Sequence, residues 1–191
     1  MTKKYKAIIF DMDGTIVDTQ LNFKAMRADL GLPDDANIID HLNKIANTSE
    51  SKHAEIVIQK HEAIGAHKAQ AIRDIEPFLA FLDQKNIPKC LLTRNSKFGT
   101  KESLKKFDWD FVEILTRECA PAKPDPKGLF QIAQSLKIDV SDILFVGDQD
   151  FDLETARNAG CDFAYIDYED SNLSEKADIV FSTFSELKIF F

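Results

Sequence analysis

The stretch Tyr5-Lys6-Ala7-Ile8-Ile9-Phe10-Asp11-Met12-Asp13-Gly14-Thr15 passes from an apolar run into two acids, a glycine and a hydroxyl. The short apolar run from Tyr5 to Phe10 is expected of a strand covered on both faces, as in a parallel sheet. Asp11 and Asp13 lie two positions apart where the chain leaves that strand. In extended backbone they point toward the same side, with Cα atoms about 7 Å apart. Gly14 permits a sharp turn, and Thr15 offers a hydroxyl to fix it. Taken alone, the Asp-Gly pair fits a solvated turn equally well.

Farther along, Lys89 to Thr93, Val112 to Leu115, Ile143 to Val146 and Phe163 to Ile166 have the same short, apolar or β-prone character, and Ile179 to Phe181 reads as an edge strand. Helical segments separate them: Pro77 to Lys85 with proline in its first turn, Lys97 to Phe107, Pro126 to Leu136, and Asp152 to Asn158 ending before Gly160. The alternation predicts an α/β fold, a doubly wound parallel sheet with ligands at the carboxyl ends of its strands. Between Leu21 and Ile75 no strand is expected. That region reads as helices over Phe23 to Leu30, closed by Gly31, over Asn37 to Ile45, and after Ser49. On the last, Ala54, Val57, Ile58, His61, Ile64, Ile72 and Ile75 approximate a helical stripe. The expected organisation is a core of residues 1–18 and 76–191 with a small helical cap, 19–75, inserted after the first strand.

With 191 residues and 44% apolar content, the chain can bury one full core and a modest insertion. Its 32 acidic and 24 basic side chains give a net charge of −8, which disfavours nonspecific contact with nucleic acid or anionic membrane. The apolar run at Ala7 to Phe10 is too short for a signal-peptide core, and no segment approaches a membrane span. Cys90, Cys119 and Cys161 are odd in number and widely spaced, as expected of free thiols in a reducing compartment. A cytoplasmic location follows as an expectation.

Three further clusters end strands. Thr93-Arg94-Asn95 offers a hydroxyl and backbone amides at a strand-to-helix junction, an anion cradle or an ordinary helix cap. Lys123 lies in a proline-bracketed stretch from Pro121 to Pro126, where a stiffly held ammonium can neutralise a carboxylate and a phosphate oxygen. Asp148, Asp150 and Asp152 follow Phe145-Val146-Gly147. Asp148 and Asp152 are one helical turn apart, and an oxygen-only set of this kind favours a hard cation, Mg2+ above others.

In this order the motifs Asp11-Met12-Asp13-Gly14-Thr15, Thr93, Lys123-Pro124, and Gly147-Asp148 with Asp152 resemble the four signatures of the haloacid dehalogenase superfamily, in its phosphoglycolate-phosphatase-like branch. The resemblance implies a modified Rossmann-like sheet, a cap between the first and second motifs, and Mg2+-dependent hydrolysis of a small phosphorylated metabolite. It assigns Asp11 as the nucleophile that forms an aspartyl-phosphate, and Asp13 as the acid and base. Asp11, Asp148 and the Asp13 carbonyl would hold the metal, with Asp152 behind them orienting Lys123. Thr93, Lys123 and the backbone near Met12, Asp13, Arg94 and Asn95 would hold the transferring oxygens.

Relatives often carry Asn where this chain has Arg94, with Asn95 following here, which leaves the local phosphate contact open. Haloacid dehalogenases and phosphonoacetaldehyde hydrolases lack the acid at the position of Asp13, so phosphate-ester cleavage is favoured. Phe23, Met26 and Arg27 fall on adjacent turns of the first cap helix, giving a wall with one cation that either faces the site or belongs to the cap surface. His41, His53, His61 and His67 show no metal-like spacing. A phosphomutase of the β-phosphoglucomutase type would use the same Asp11 and Asp13, but the small cap argues against it. A noncatalytic phosphate-accepting signalling module also combines Asp, Thr and Lys, but its accepting Asp sits on a later strand than its acidic pair. The oligomeric state is not readable.

Overall fold

The structure, a computed structural model, describes residues 3–167 and 172–191. In chain order its strands are β1 (Ala7–Phe10), β2 (Val17–Asp18), β3 (Gln70–Ala71), β4 (Lys89–Leu92), β5 (Glu113–Leu115), β6 (Ile143–Gly147), β7 (Asp162–Ile166) and β8 (Ile179–Phe181). Its α-helices are α1 (Phe23–Asp29), α2 (Ile38–Lys44), α3 (Ser49–Lys68), α4 (Ile75–Gln84), α5 (Lys97–Leu104), α6 (Lys127–Leu136) and α7 (Asp150–Ala159). No helix among the described residues is long and apolar enough to cross a membrane.

Six strands form one parallel sheet in the order β5-β4-β1-β6-β7-β8, so the expected α/β architecture is present. The chain runs outward from β1 through β4 to β5, then returns across β1 to β6. This reversal puts the ends of β1, β4 and β6 side by side at the switch point, where open α/β sheets bind ligands. The unbroken apolar runs follow from burial on both faces. Ile8 and Phe10 belong to a core with Phe78, Leu144, Val146 and Phe184, whereas Ala7 and Ile9 belong to one with Cys90, Leu129, Phe145 and Ala156.

Phe78 of α4 is fully buried where several rings meet: Phe10 at 6.3 Å, Phe184 at 5.6 Å, Phe81 at 6.2 Å and Phe191 at 6.2 Å between centroids. These rings weld the sheet, α4 and the C-terminal 3-10 helix Phe184–Phe190 into one layer.

Two expectations are corrected. A strand does occur between Leu21 and Ile75: β3 pairs antiparallel with β2, Val17 opposite Ala71 and Asp18 opposite Gln70. Two residues are too few for alternation to reveal. The buried side of α3 consists of Ala54, Ile58, Glu62, Gly65 and Ala66, whereas Ile64 is 48% exposed. An inner face that carries a carboxylate and two very small residues is invisible to a hydrophobic stripe.

Replacing Phe78 with Ala is expected to cost about 3–5 kcal/mol, because the surrounding rings cannot close the cavity. Urea unfolding measures it, and a loss under about 1 kcal/mol would show that this layer repacks.

Candidate active site

Backbone constraints place the first acids. The Asp11 amide donates to the carbonyl of Val146 at 2.8 Å, tying the end of β1 to β6. The Met12 carbonyl accepts from the amides of Ile16 and Val17, both at 3.0 Å, so the chain folds back at once. Met12 places its side chain in the core and leaves its backbone at the site. Gly14 has φ of +81°, and a Cβ there would lie 2.5 Å from Asp148 Oδ2, so both conformation and space demand glycine. Thr15, expected to fix its own turn, instead donates to Asp148 Oδ1 at 3.1 Å. Asp13 Oδ1 accepts from the Thr19 amide at 3.1 Å and from its hydroxyl at 2.6 Å. Thr19 was not singled out in the sequence because it lies outside any motif.

Lys123 is buried between two acids, with Nζ 2.6 Å from Asp11 Oδ1 and 2.5 Å from Asp152 Oδ1. Burial works against its charge, but Asp11 and Asp152 outweigh that loss and raise its pKa. Asp152 spends its other oxygen on the Gln149 amide at 3.1 Å, which also caps the start of α7. Gly147 makes room for this arrangement, since a Cβ there would meet Asp152 Cγ at 2.6 Å.

Oxygens of Asp11, Asp148 and Asp152 lie within 4.8 Å of one another. Asp148 accepts from Gln149 Nε2 at 2.6 Å as well as from Thr15. Burial, and then the nearby Asp11, push Asp148 up to about 6. Burial likewise pushes Asp13 up to about 6, opposed by the two Thr19 bonds and reinforced by Asp11 and Asp148. Crowded acids that resist ionisation suit a hard cation with oxygen ligands. Asp11 and Asp148 line the cavity beside the site, whereas Asp152 is fully buried behind them, so Asp11 and Asp148 are the better-placed ligands. Asp150 is exposed in the first turn of α7 and stands outside the cluster.

The second strand end departs from expectation. The amides of Ser96, which caps α5, and of Lys97, its first residue, are taken by protein carboxylates and are closed to a ligand. Glu62 of α3 accepts the Ser96 amide at 3.0 Å and the Ser96 hydroxyl, and Glu118 accepts the Lys97 amide at 2.9 Å. The anion cradle therefore excludes the helix terminus and retreats to the loop before it. Thr93 is buried, and its Oγ1 accepts from the Asn95 amide at 3.1 Å, leaving its hydroxyl hydrogen to donate elsewhere. Among the described residues, the backbone amides of Met12, Asp13 and Arg94 have no partner, the set a tetrahedral anion beside Asp11 requires. The Asn95 carbonyl accepts from the Arg117 amide at 3.3 Å.

Glu62 also pairs with Arg117 at 2.7 Å, and Arg117 reaches Glu55 at 2.8 Å. A Cβ on Gly99 would meet Glu62 Cδ at 2.7 Å, so glycine lets α3 and α5 approach closely. Hydrophobic periodicity could not reveal this network. Its only signal was a lone acid on the inward side of a helix.

A cavity of about 690 Å³ opens beside Asp11 and Asp13. Thr93, Arg94, Asn95 and Phe151 line it from the sheet side, and Phe23, Met26 and Arg27 from α1. Asn37, Ile38 and Leu42 line it beside them. His61 contacts Asp29 at 2.9 Å, linking α3 to α1, and no histidine joins the carboxylate cluster.

Two outcomes follow from this geometry. Asp13 and Asp148 keep protons when folded that the unfolded chain releases near pH 4. Stability from this site is therefore present below about pH 4 and lost as pH rises through about 6. Asp148→Asn is expected to stabilise the metal-free protein at pH 7.5 by on the order of 1–2 kcal/mol, and to flatten the melting-temperature difference between pH 5 and 7.5. A lower melting temperature at pH 7.5 would reject the cost of ionising this buried carboxylate. Glu62→Ala strands Arg117 and uncaps α5, with an expected cost of about 3–5 kcal/mol in urea unfolding. A cost below about 1 kcal/mol would mean the network is dispensable.

Comparison with known proteins places this geometry in a family. The chain is 33% identical over 171 residues to an uncharacterized hydrolase of Saccharomyces cerevisiae, covering 83% of this chain and 76% of that protein. It is 27% identical to the N-acetylmuramic acid 6-phosphate phosphatase of Pseudomonas aeruginosa, covering 93% and 90%. The crystal structure of a putative phosphoglycolate phosphatase from Lactobacillus plantarum superposes with a TM-score of 0.82 at 20% identity, over 98% of this chain and 100% of the other, and so shares the fold. Residues 8–166 match the haloacid dehalogenase-like hydrolase profile, and the chain belongs to that family.

Proposed function

We propose that the protein is a Mg2+-dependent phosphatase that hydrolyses a small phosphorylated metabolite through an aspartyl-phosphate on Asp11. The observation that carries this reading is the Asp11 carboxylate, pinned by Lys123 at 2.6 Å beside Asp148 and facing a cavity shared with Asp13. The names of relatives, an N-acetylmuramic acid 6-phosphate phosphatase and a phosphoglycolate phosphatase, support phosphate esters as the substrate class.

In this reading Asp11 attacks phosphorus in line, and the bond from phosphorus to the ester oxygen breaks. Asp13 donates its proton to that leaving oxygen. It then takes a proton from the water that attacks phosphorus and releases inorganic phosphate from Asp11. A carboxyl raised to about 6 is poised for both directions near neutral pH. Lys123, the Thr93 hydroxyl and the amides of Met12, Asp13 and Arg94 hold the phosphoryl oxygens. Asp11, Asp148 and the Asp13 carbonyl would hold Mg2+, which when bound would offset the repulsion between nucleophile and phosphate. Asp152 keeps Lys123 in place. Residues 1–18 and 76–191 act as the catalytic core, and 19–75 act as a cap that shapes substrate access.

Phosphate release from a panel of phosphorylated metabolites, with Mg2+ and with chelator, tests the reading. Wild type is expected to turn over a subset of esters only with metal, and Asp11→Asn to lose at least about 1,000-fold while remaining folded. Full activity of Asp11→Asn, or turnover unaffected by chelation, would overturn it.

A further inference from the structure

Three arginines line the cavity beside Asp11, and they have different fates. Arg117 is neutralised by Glu55 and Glu62. Arg27 and Arg94 are not: among the described residues neither has a carboxylate within ion-pairing distance. Arg27 Nε donates to the Ala36 carbonyl at 2.8 Å, and Arg94 Nη2 donates to Asn37 Oδ1 at 3.1 Å. The two guanidinium groups thus reach adjacent residues, one from α1 and one from the end of β4. Each keeps most of its N–H donors unused.

Arg94 is also held in place by its own side of the seam. Its guanidinium lies 4.4 Å from the centroid of the Phe151 ring, and that ring lies 5.2 Å from Lys123 Nζ. Burial works against its charge, while Asp152, Asp11 and Asp40 favour it only from beyond pairing distance. Both guanidinium groups are partly buried in the cavity wall with donors to spare and, among the described residues, no carboxylate in contact, a place that an anion entering the cavity can complete. A chain with 32 acidic side chains does not lack carboxylates that could have filled this place.

We propose that Arg27 and Arg94 form a second anion subsite, and that the substrate is a phosphate monoester whose leaving group carries another anionic group, a carboxylate or a second phosphate. The proposal rests on the phosphatase reading and deepens it. The transferring phosphoryl already has Lys123, Thr93 and three free amides, including that of Arg94, so the main chain and side chain of Arg94 serve different groups. The cavity of about 690 Å³ leaves room for both.

Matched esters read the subsite: glycerol 3-phosphate against 3-phosphoglycerate for a carboxylate, and fructose 6-phosphate against fructose 1,6-bisphosphate for a phosphate. Wild type with Mg2+ is expected to favour the charged member of one pair by about tenfold or more in kcat/KM, and the pair that shows it identifies the anion. Arg94→Met and Arg27→Met, checked for unchanged melting, are each expected to lower the charged member about tenfold more than the neutral one. Equal rates within both pairs would overturn the subsite. Equal losses for both members would overturn it too, and would assign the Arg94 side chain to the transferring phosphoryl. Calorimetric binding of the same pairs to Asp11→Asn needs no turnover. Tighter binding of a charged member, lost in Arg94→Met, supports the subsite even where the phosphatase reading fails, and equal binding overturns it.

Discussion

The Lys123 ammonium, held at 2.6 Å from Asp11 and 2.5 Å from Asp152, joins three parts of the chain that meet nowhere else in sequence: the end of β1, the loop before α6 and the start of α7. Burying three charges is costly, and removing any one would strand the others. The arrangement persists because every member is also held by something else. Asp11 is anchored through its amide to β6, and Asp152 caps α7 with its second oxygen. Gly14 and Gly147 matter for the same reason, since a methyl group at either would occupy the space of a site carboxylate.

Around that centre the molecule separates places for protein carboxylates from places for a substrate. Glu62 and Glu118 occupy the start of α5, which would otherwise attract an anion. Among the described residues, the amides of Met12, Asp13 and Arg94, beside the cavity that Asp11 lines, remain free. Glu62 also ties the long helix of the insertion to the strand-end loop that carries Thr93. The cavity wall and the loop that carries Thr93 are therefore mechanically one unit on that side. Arg117 belongs to the unit, whereas Arg27 and Arg94 face the cavity with donors to spare.

Much of the fold was legible because its signal is local. Parallel strands buried on both faces read as unbroken apolar runs, and glycine and proline punctuate them. Most helix and strand boundaries shifted by one to three residues, as with α5, which ends at Leu104 rather than Phe107. The stripe read onto α3, however, ran on to Ile72 and Ile75, whereas α3 ends at Lys68 and Ile75 opens α4. The stem strand β3 went unseen because two residues carry no period. The inward face of α3 was misread because its central member is Glu62, whose place is set by Ser96 and Arg117 rather than by apolar contact.

By itself, the sequence determined the alternating α/β architecture and the helical insertion after the first strand, and it marked Asp11, Asp13, Thr93, Lys123, Asp148 and Asp152 as candidates, most of them at or just past strand ends that local pattern reveals, and Lys123 in the proline-bracketed loop before α6. Tertiary structure alone decided which groups around them remain available. It assigned Thr15 to Asp148 and Thr19 to Asp13, gave the Ser96 and Lys97 amides to carboxylates, neutralised Arg117 and, among the described residues, left Arg27 and Arg94 without an ion-pair partner. Pairing of charges and satisfaction of amides depend on residues tens of positions apart meeting in space, and no local pattern in the chain encodes that.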